Sequence, residues 1–321
     1  MRFNRDGELR VPGGYVSGLA IDPIEKKPFY HVLPGAEALS FGMLGCCFHC
    51  TFCQNWVTSQ SLRDDRALAQ PSHFCTAEQI VQAAIDHHLP IITSTYNEPL
   101  ITSEWAVEIF RRAAQEGILC GYVSNGHGTP EVLEFLRPHM ELFNIDLKCF
   151  DADKYRKLGG RFEAVTDTIR RAHAMGFWVE VVTLVVPGFN DSDDELRRIA
   201  DFVASVSPSI PWHCTAFHPT YKMTEPPRTP PSALARAYEQ GKAAGLQYVY
   251  SGNLPGLVGQ TEHTFCPSCG ATLVERHGFY VSANRLNGDA CFKCGTRVAG
   301  RFVSARTGWS RGSGGPRPLD M

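Results

Sequence analysis

The chain is predicted to be an α/β protein built on a parallel sheet, followed by a small cysteine-rich ribbon lobe. Three observations point there. Short apolar runs alternate with amphipathic, helix-like segments from residue 38 to about 250, and such alternation builds parallel strands joined by right-handed crossovers. Polar clusters fall directly after the apolar runs, where parallel barrels place their chemistry. Beyond Leu254 the composition shifts, and two knuckles, Cys266-Pro267-Ser268-Cys269 and Cys291-Phe292-Lys293-Cys294, stand twenty-one residues apart.

The elements follow in order. Residues 1–37 are rich in Gly and Pro and read as an extended lead-in. Ala38–Leu44 reads as the first strand and delivers a cysteine loop at its C-terminal end. A helix near 76–88 opens on Thr76 with Gln79 at the capping-box position. Strands are expected at 91–95, 118–123, 142–146, 177–186, 212–217 and 247–250. Helices are expected at 100–116, from Pro130, at 161–175, from about Asp191 and at 232–244. The acids Asp191 to Glu195 suit the positive end of a helix dipole. The domains are therefore a lead-in (1–37), a barrel-like unit (38–255), a four-cysteine ribbon (256–302) and a tail (303–321) whose Gly, Pro, Ser and Arg content predicts disorder.

With 321 residues and 43% apolar content, one α/β barrel can occupy most of the chain and bury a sizeable core. A net charge of −2 with mixed signs excludes a nucleic-acid groove or a basic membrane face. No apolar run approaches the ~20 residues of a membrane span, and Met1 to Asp6 lacks the apolar core of a signal peptide. A cytoplasmic protein is expected, with no nucleic-acid and no membrane partner. The twelve cysteines form two groups with metal-ligand spacing plus four singles. Cys75, Cys120, Cys149 and Cys214 are expected to be buried apolar residues.

Chemistry concentrates in the first cysteine group, Cys46-x3-Cys50-x2-Cys53. Three thiolates can hold three irons of a cubane cluster and leave the fourth open to a cosubstrate; four would close it off for electron transfer. Cys47-x2-Cys50-x2-Cys53 is also a metal-type spacing, which makes Cys47 a rival ligand. After the next strand comes Tyr96-Asn97-Glu98-Pro99, where Glu98 can accept from an ammonium or serve only as a helix-start acid. Ser124-Asn125-Gly126 suits close approach of a ribose or carboxylate, or is an ordinary turn. Asp146 and Lys148 share one side of an extended chain, as site residues or as a surface ion pair. Val186 to Asn190, His218 and Lys222 follow later strands and are weaker candidates for the substrate side. The four distal cysteines read as a zinc ribbon or as an auxiliary iron–sulfur site. Zinc cannot transfer electrons or give up sulfide, and a cluster can.

The triad, with Phe52 before its last cysteine and Gln54-Asn55-Trp56 after it, resembles the radical S-adenosylmethionine (SAM) superfamily. It is most similar to the branch around the pyruvate formate-lyase activating enzyme, and within it to the AmmeMemoRadiSam-system radical SAM enzyme. The likeness runs from about Ile21 to about Gly300. Members of that family often begin with a further cysteine-rich segment, and none is expected here because no cysteine precedes Cys46.

The resemblance implies a partial (β/α)6-type radical SAM barrel with Cys46, Cys50 and Cys53 holding a 4Fe-4S cluster and Cys47 as a neighbour. SAM would be cleaved reductively to a 5′-deoxyadenosyl radical that abstracts hydrogen from a substrate. Phe52, Tyr96, Asn97, Glu98, Ser124, Asn125, Asp146, Lys148, Val186 and His218 would line the SAM or substrate side. Glu98 would take the SAM amino group and Lys148 its carboxylate. Val123 replaces an acid that helps hold a cation in activating enzymes, so no cation site is expected. The implied partners are a small-molecule substrate of a biosynthetic pathway and an electron donor such as flavodoxin or ferredoxin. Sulfur insertion would require a second cluster at the distal cysteines. The alternatives are a glycyl-radical activase acting on a protein substrate and a non-catalytic metal-binding adaptor.

Overall fold

Parallel pairing organises the centre of the molecule. The computed structural model describes residues 3–67, 72–305, 308 and 315–319. Its main sheet contains β1 (Gly18–Pro23), β2 (Glu37–Gly42), β3 (Ile91–Ser94), β4 (Leu119–Ser124), β5 (Leu142–Asp146), β6 (Trp178–Val185), β7 (Trp212–Ala216) and β8 (Val249–Gly252), in that spatial order. All neighbours from β2 to β8 are parallel, with registers such as Leu39↔Ile92, Gly121↔Leu142 and Val181↔Trp212. The first and last strands do not pair, so the barrel is open. Both faces of β2 and β3 are buried, as their near-continuous apolar runs require.

The crossovers are α1 (Ala77–Asp86), α2 (Ser103–Gln115), α3 (Pro130–Leu136), α4 (Ala152–Leu158), α5 (Phe162–Ala174), α6 (Asp193–Val206) and α7 (Pro231–Ala243). The Thr76–Gln79 capping box forms as expected. Ser192 caps α6, whose first turn carries Asp193, Asp194 and Glu195. α4 is an element the sequence pattern did not reveal. No helix among the described residues is long and apolar enough to cross a membrane. Cys75, Cys120, Cys149 and Cys214 are buried.

The lead-in does more than extend. β1 joins the sheet antiparallel to β2, and the following segment fills the barrel's interior. Inward positions alternate along the strands, so Asn144, Glu180 and His213 form a lower polar layer. A buried carboxylate needs partners. Glu180 accepts from the backbone N–H groups of Tyr30 (3.0 Å) and His31 (2.9 Å), and from Trp178 Nε1 (2.9 Å). It also pairs with His213 Nε2 at 2.7 Å.

The ribbon lobe contains β9 (Thr264–Phe265) and a hairpin of β10 (Thr272–His277) and β11 (Tyr280–Asn284). It shares a hydrophobic cluster with the barrel: Leu273, Val274, Cys266 and Cys291 pack with Tyr30, Tyr248 and Tyr250. Buried Arg276 clamps the join, donating to Tyr30 O and Thr264 Oγ1 at 2.7 Å each. In the tail expected to be disordered, Arg317–Pro318 pairs with Ile21 and Ala20 at the sheet edge, and Arg317 binds Glu37 at 2.8 Å. Residues 306–307, 309–314 and 320–321 of that tail lie outside the described residues.

Candidate active site

The cysteine loop crosses the C-terminal mouth of the barrel directly after β2. Gly42 permits this, because a Cβ there would sit 2.7 Å from Thr95 O. The loop is held from several sides. The Gln60 amide and Arg63 guanidinium donate to Phe48 O at 3.1 and 3.0 Å, and His49 N donates to Leu158 O at 2.9 Å. Gly160 lies against the Phe48 ring so closely that a Cβ would come within 2.2 Å of it. Trp56, one turn beyond, stacks on Tyr221 with centroids 5.1 Å apart.

Cys46, Cys50 and Cys53 open onto a cavity of about 130 Å³. Burial pushes the Cys50 thiol up to about 12 and raises that of Cys53. Cys46 is raised by its hydrogen bond with Cys47 and by burial. The charge of a bound iron centre offsets such burial and favours the thiolates. The three sulfurs do not crowd to single-ion distances: among the described residues, only the four distal cysteines bring their ligand atoms within 4.8 Å of one another.

Glu98 closes the opposite wall. Its Oε1 accepts Leu100 N at 2.9 Å and the Ser124 hydroxyl at 2.7 Å, and its Oε2 accepts Asn125 N at 2.8 Å. Burial raises its pKa while these donors oppose the rise. The Asn125 amide points at the sulfurs of Cys47 (3.2 Å) and Cys46 (3.7 Å). Asn97 accepts from Met43 N at 3.0 Å and lines the same space. Lys148 pairs with Asp146 Oδ2. Burial disfavours its charge, but Asp146 and Cys50 hold its ammonium well above the ordinary range. Asp146 Oδ1 is buried with no hydrogen-bond partner among the described residues, while the residue as a whole lines the cavity.

A second cavity of about 340 Å³ shares the Cys50, Cys53, Tyr96 and Lys148 walls and runs outward. Its other walls include Lys27, Leu184, Thr215 and Phe279, the last at the tip of the β10–β11 hairpin. Phe52 lies on this side, packed on Phe189 at 5.5 Å.

Most predicted residues therefore converge, but Val186 to Asn190, His218 and Lys222 line neither cavity. Val186 is fully buried, and its N–H donates to Asn190 Oδ1 at 2.7 Å; the Asn190 amide in turn donates to Lys148 O at 2.7 Å. That segment acts by steadying Lys148. His218 is exposed, and its ring bonds to Gln54 at 3.2 Å. Lys222 is outside too, its N–H donating to Thr51 O at 3.0 Å. Sequence reading missed Gln60, Gly160, Lys27 and Phe279. Gln60 and Gly160 act by contacts that no spacing announces, and Lys27 and Phe279 come from segments read as peripheral.

The four distal cysteines converge from the two knuckles, where Gly270 N and Gly295 N turn back to Cys266 O and Cys291 O. Sγ–Sγ separations are 3.6 Å for Cys266–Cys294 and 3.8 Å for Cys269–Cys291. Four thiolates around one zinc at about 2.3 Å stand about 3.8 Å apart along the tetrahedron's edges. Cubane ligands stand farther apart, because each sulfur sits on its own iron. The donor set fits a single ion.

Comparisons with known proteins bear on the family and the fold. The profile of the Radical SAM superfamily matches residues 42–203. An uncharacterized protein of Methanocaldococcus jannaschii is 39% identical over 302 residues, covering 92% of this chain and 88% of its own. The pyruvate formate-lyase-activating enzyme of Staphylococcus aureus is 22% identical over 58% of this chain and 78% of its own. Among solved structures, a radical SAM methyltransferase from Sphaerobacter thermophilus superposes with a TM-score of 0.53 at 16% identity, over 74% of this chain and 71% of its own. Streptococcus suis SuiB bound to S-adenosylmethionine gives 0.52 at 14% identity, over 71% of this chain and 52% of its own.

Proposed function

Because the chain belongs to the Radical SAM superfamily, we propose that this enzyme holds its cluster at Cys46, Cys50 and Cys53 and turns over a small molecule in the outer cavity. When bound there, a 4Fe-4S cluster with SAM supplies a 5′-deoxyadenosyl radical that abstracts hydrogen. The observation that carries the reading is convergence: the triad, Glu98, Asn125, Asp146 and Lys148 line one cavity after β2, β3, β4 and β5.

The chain's residues then have distinct tasks. Glu98, with an acceptor site left on Oε2, receives the SAM ammonium, aided by nearby backbone carbonyls. Lys148 faces the methionine carboxylate. Asp146, Ser124 and Asn125 line the wall that faces the ribose. Phe48 and Phe52, the buried aromatic side chains of the loop, exclude water. A flavodoxin- or ferredoxin-type donor would supply the electron.

The distal cysteines hold one zinc in this reading, which removes the sulfide source that sulfur insertion would need. The zinc fixes a lobe whose core is shared with the barrel. A second reading, an activase acting on a protein, is favoured by the resemblance to the Staphylococcus aureus activating enzyme. Phe279, standing on the wall of the outer cavity, favours a small substrate instead.

Anaerobically reconstituted protein with dithionite and SAM should release 5′-deoxyadenosine, and Cys50→Ala should release none. Product from Cys50→Ala, or none from wild type carrying a full cluster, would contradict the proposal.

A further inference from the structure

The outer cavity carries a charge that the cluster and SAM do not require. Lys26 and Lys27 both line it. Both pair with one carboxylate: Lys26 Nζ with Asp22 Oδ1 at 2.7 Å, and Lys27 Nζ with Asp22 Oδ2 at 2.6 Å. Asp22 is 0% exposed and Lys27 3%. Tyr96 takes a further share of Asp22, its hydroxyl donating to Oδ2 at 2.6 Å. Two ammoniums against one carboxylate leave one uncompensated positive charge, shared between sequestered Lys27 and partly exposed Lys26. Burying a lysine is costly, and the Asp22–Tyr96 hydrogen bond already ties β1 to the segment after β3.

Tyr96 adds an independent observation. It has φ of 71° although it is not glycine, a strained conformation that persists only where its surroundings impose it. That conformation accompanies a hydroxyl bound to Asp22, with the Lys27 ammonium 4.3 Å from the ring centroid. Among the described residues that line the cavity, the carboxylate is Asp146, already paired with Lys148. Farther along the wall stand Leu184 and Phe279, which are apolar.

We propose that this outer cavity takes a small organic anion, a carboxylate or phosphate monoester, with its charged end at Lys26 and Lys27 and its apolar part against Leu184 and Phe279. The inference rests on the radical SAM reading and adds the substrate's chemical class. Phe279 makes the ribbon lobe a contributor to specificity.

The test uses the full chain with its cluster rebuilt and SAM saturating, so that the SAM site is filled. Calorimetric titration compares 3-phenylpropionate and phenyl phosphate with the neutral 3-phenylpropanamide. At least one anion should bind ten-fold or more tighter than the amide. Lys27→Met should abolish that preference, and Phe279→Ala should weaken acid and amide alike. Lys26→Gln, at a partly exposed side chain, should reduce the preference and serves if Lys27→Met does not fold. No anion preference in wild type, whether or not anything binds, overturns the proposal. So does a preference unchanged in Lys26→Gln and in every folded Lys27 variant. SAM cleavage by the same wild-type preparation separates the two failures: cleavage without anion preference sinks only the substrate class.

Discussion

The carboxylate of Glu98 accepts the Ser124 hydroxyl at 2.7 Å, tying the loop after β3 to the end of β4. With Asn125 N at 2.8 Å on the other oxygen, a single side chain sets the spacing of two loops over the cavity. Glu98→Gln replaces one acceptor oxygen with an NH2 group that faces donors. The expected cost is about 1–3 kcal/mol in denaturant unfolding of the metal-loaded protein. SAM affinity should fall more than about ten-fold, with iron content retained. An unchanged denaturation midpoint together with unchanged SAM affinity would count against this role.

Gly160 tests how the cysteine loop is held. Phe48 is almost fully buried, so it cannot retreat from the Cβ that Gly160→Ala would place within 2.2 Å of its ring. Overpacking of this kind costs about 1–3 kcal/mol, and here the strain falls on the residue between Cys47 and His49. Reconstituted Gly160→Ala should hold well under the wild-type iron. Iron equal to wild type would show that the loop adapts.

Metal analysis addresses the ribbon. Wild type should carry about four irons and about one zinc per chain. A Cys266→Ala, Cys269→Ala variant should lose the zinc, keep the irons, and become sensitive to proteolysis between 256 and 302. About eight irons in wild type would instead place a second cluster at the distal cysteines.

The Lys26–Asp22–Lys27 group makes anion binding depend on pH. Burial pushes Lys27 down to about 8, against the opposing charge of Asp22. Burial would raise Asp22, but Lys27, Lys26 and the Tyr96 hydroxyl bring it to about 2, so it stays ionised. Lys27 is therefore charged below about pH 8 and loses its proton as the pH rises through that value. Affinity for 3-phenylpropionate should be level to about pH 7.5, then fall, approaching about ten-fold per pH unit. Affinity that stays level through pH 9 in wild type would remove Lys27 from the anion site.

The strands were legible because both faces of a parallel sheet are buried, and their apolar runs begin and end within two or three residues of the observed elements. Leu142–Asp146 coincides outright. Glu98, Asn125 and Lys148 were legible because polar residues at parallel strand ends have few other reasons to be there. The lead-in was opaque for a physical reason. Asp22, Lys27 and His31 look like surface residues in a Gly- and Pro-rich stretch, and only their partners Tyr96, Glu180 and Tyr250 reveal otherwise. Phe279 was hidden similarly, since a turn between two short ribbon strands gives no hint of which cavity it meets. Val186 and His218 failed as cavity residues because one side of a strand end faces the helices or solvent.

The most direct test of the central claim, that Cys46, Cys50 and Cys53 hold a cluster whose open iron meets SAM, is electron paramagnetic resonance of the dithionite-reduced protein with and without SAM. A reduced-cluster signal should change shape when SAM is added. It should vanish in Cys46→Ala, Cys50→Ala and Cys53→Ala and persist in the Cys266→Ala, Cys269→Ala variant. A signal indifferent to SAM, or one that survives Cys50→Ala, would contradict the account.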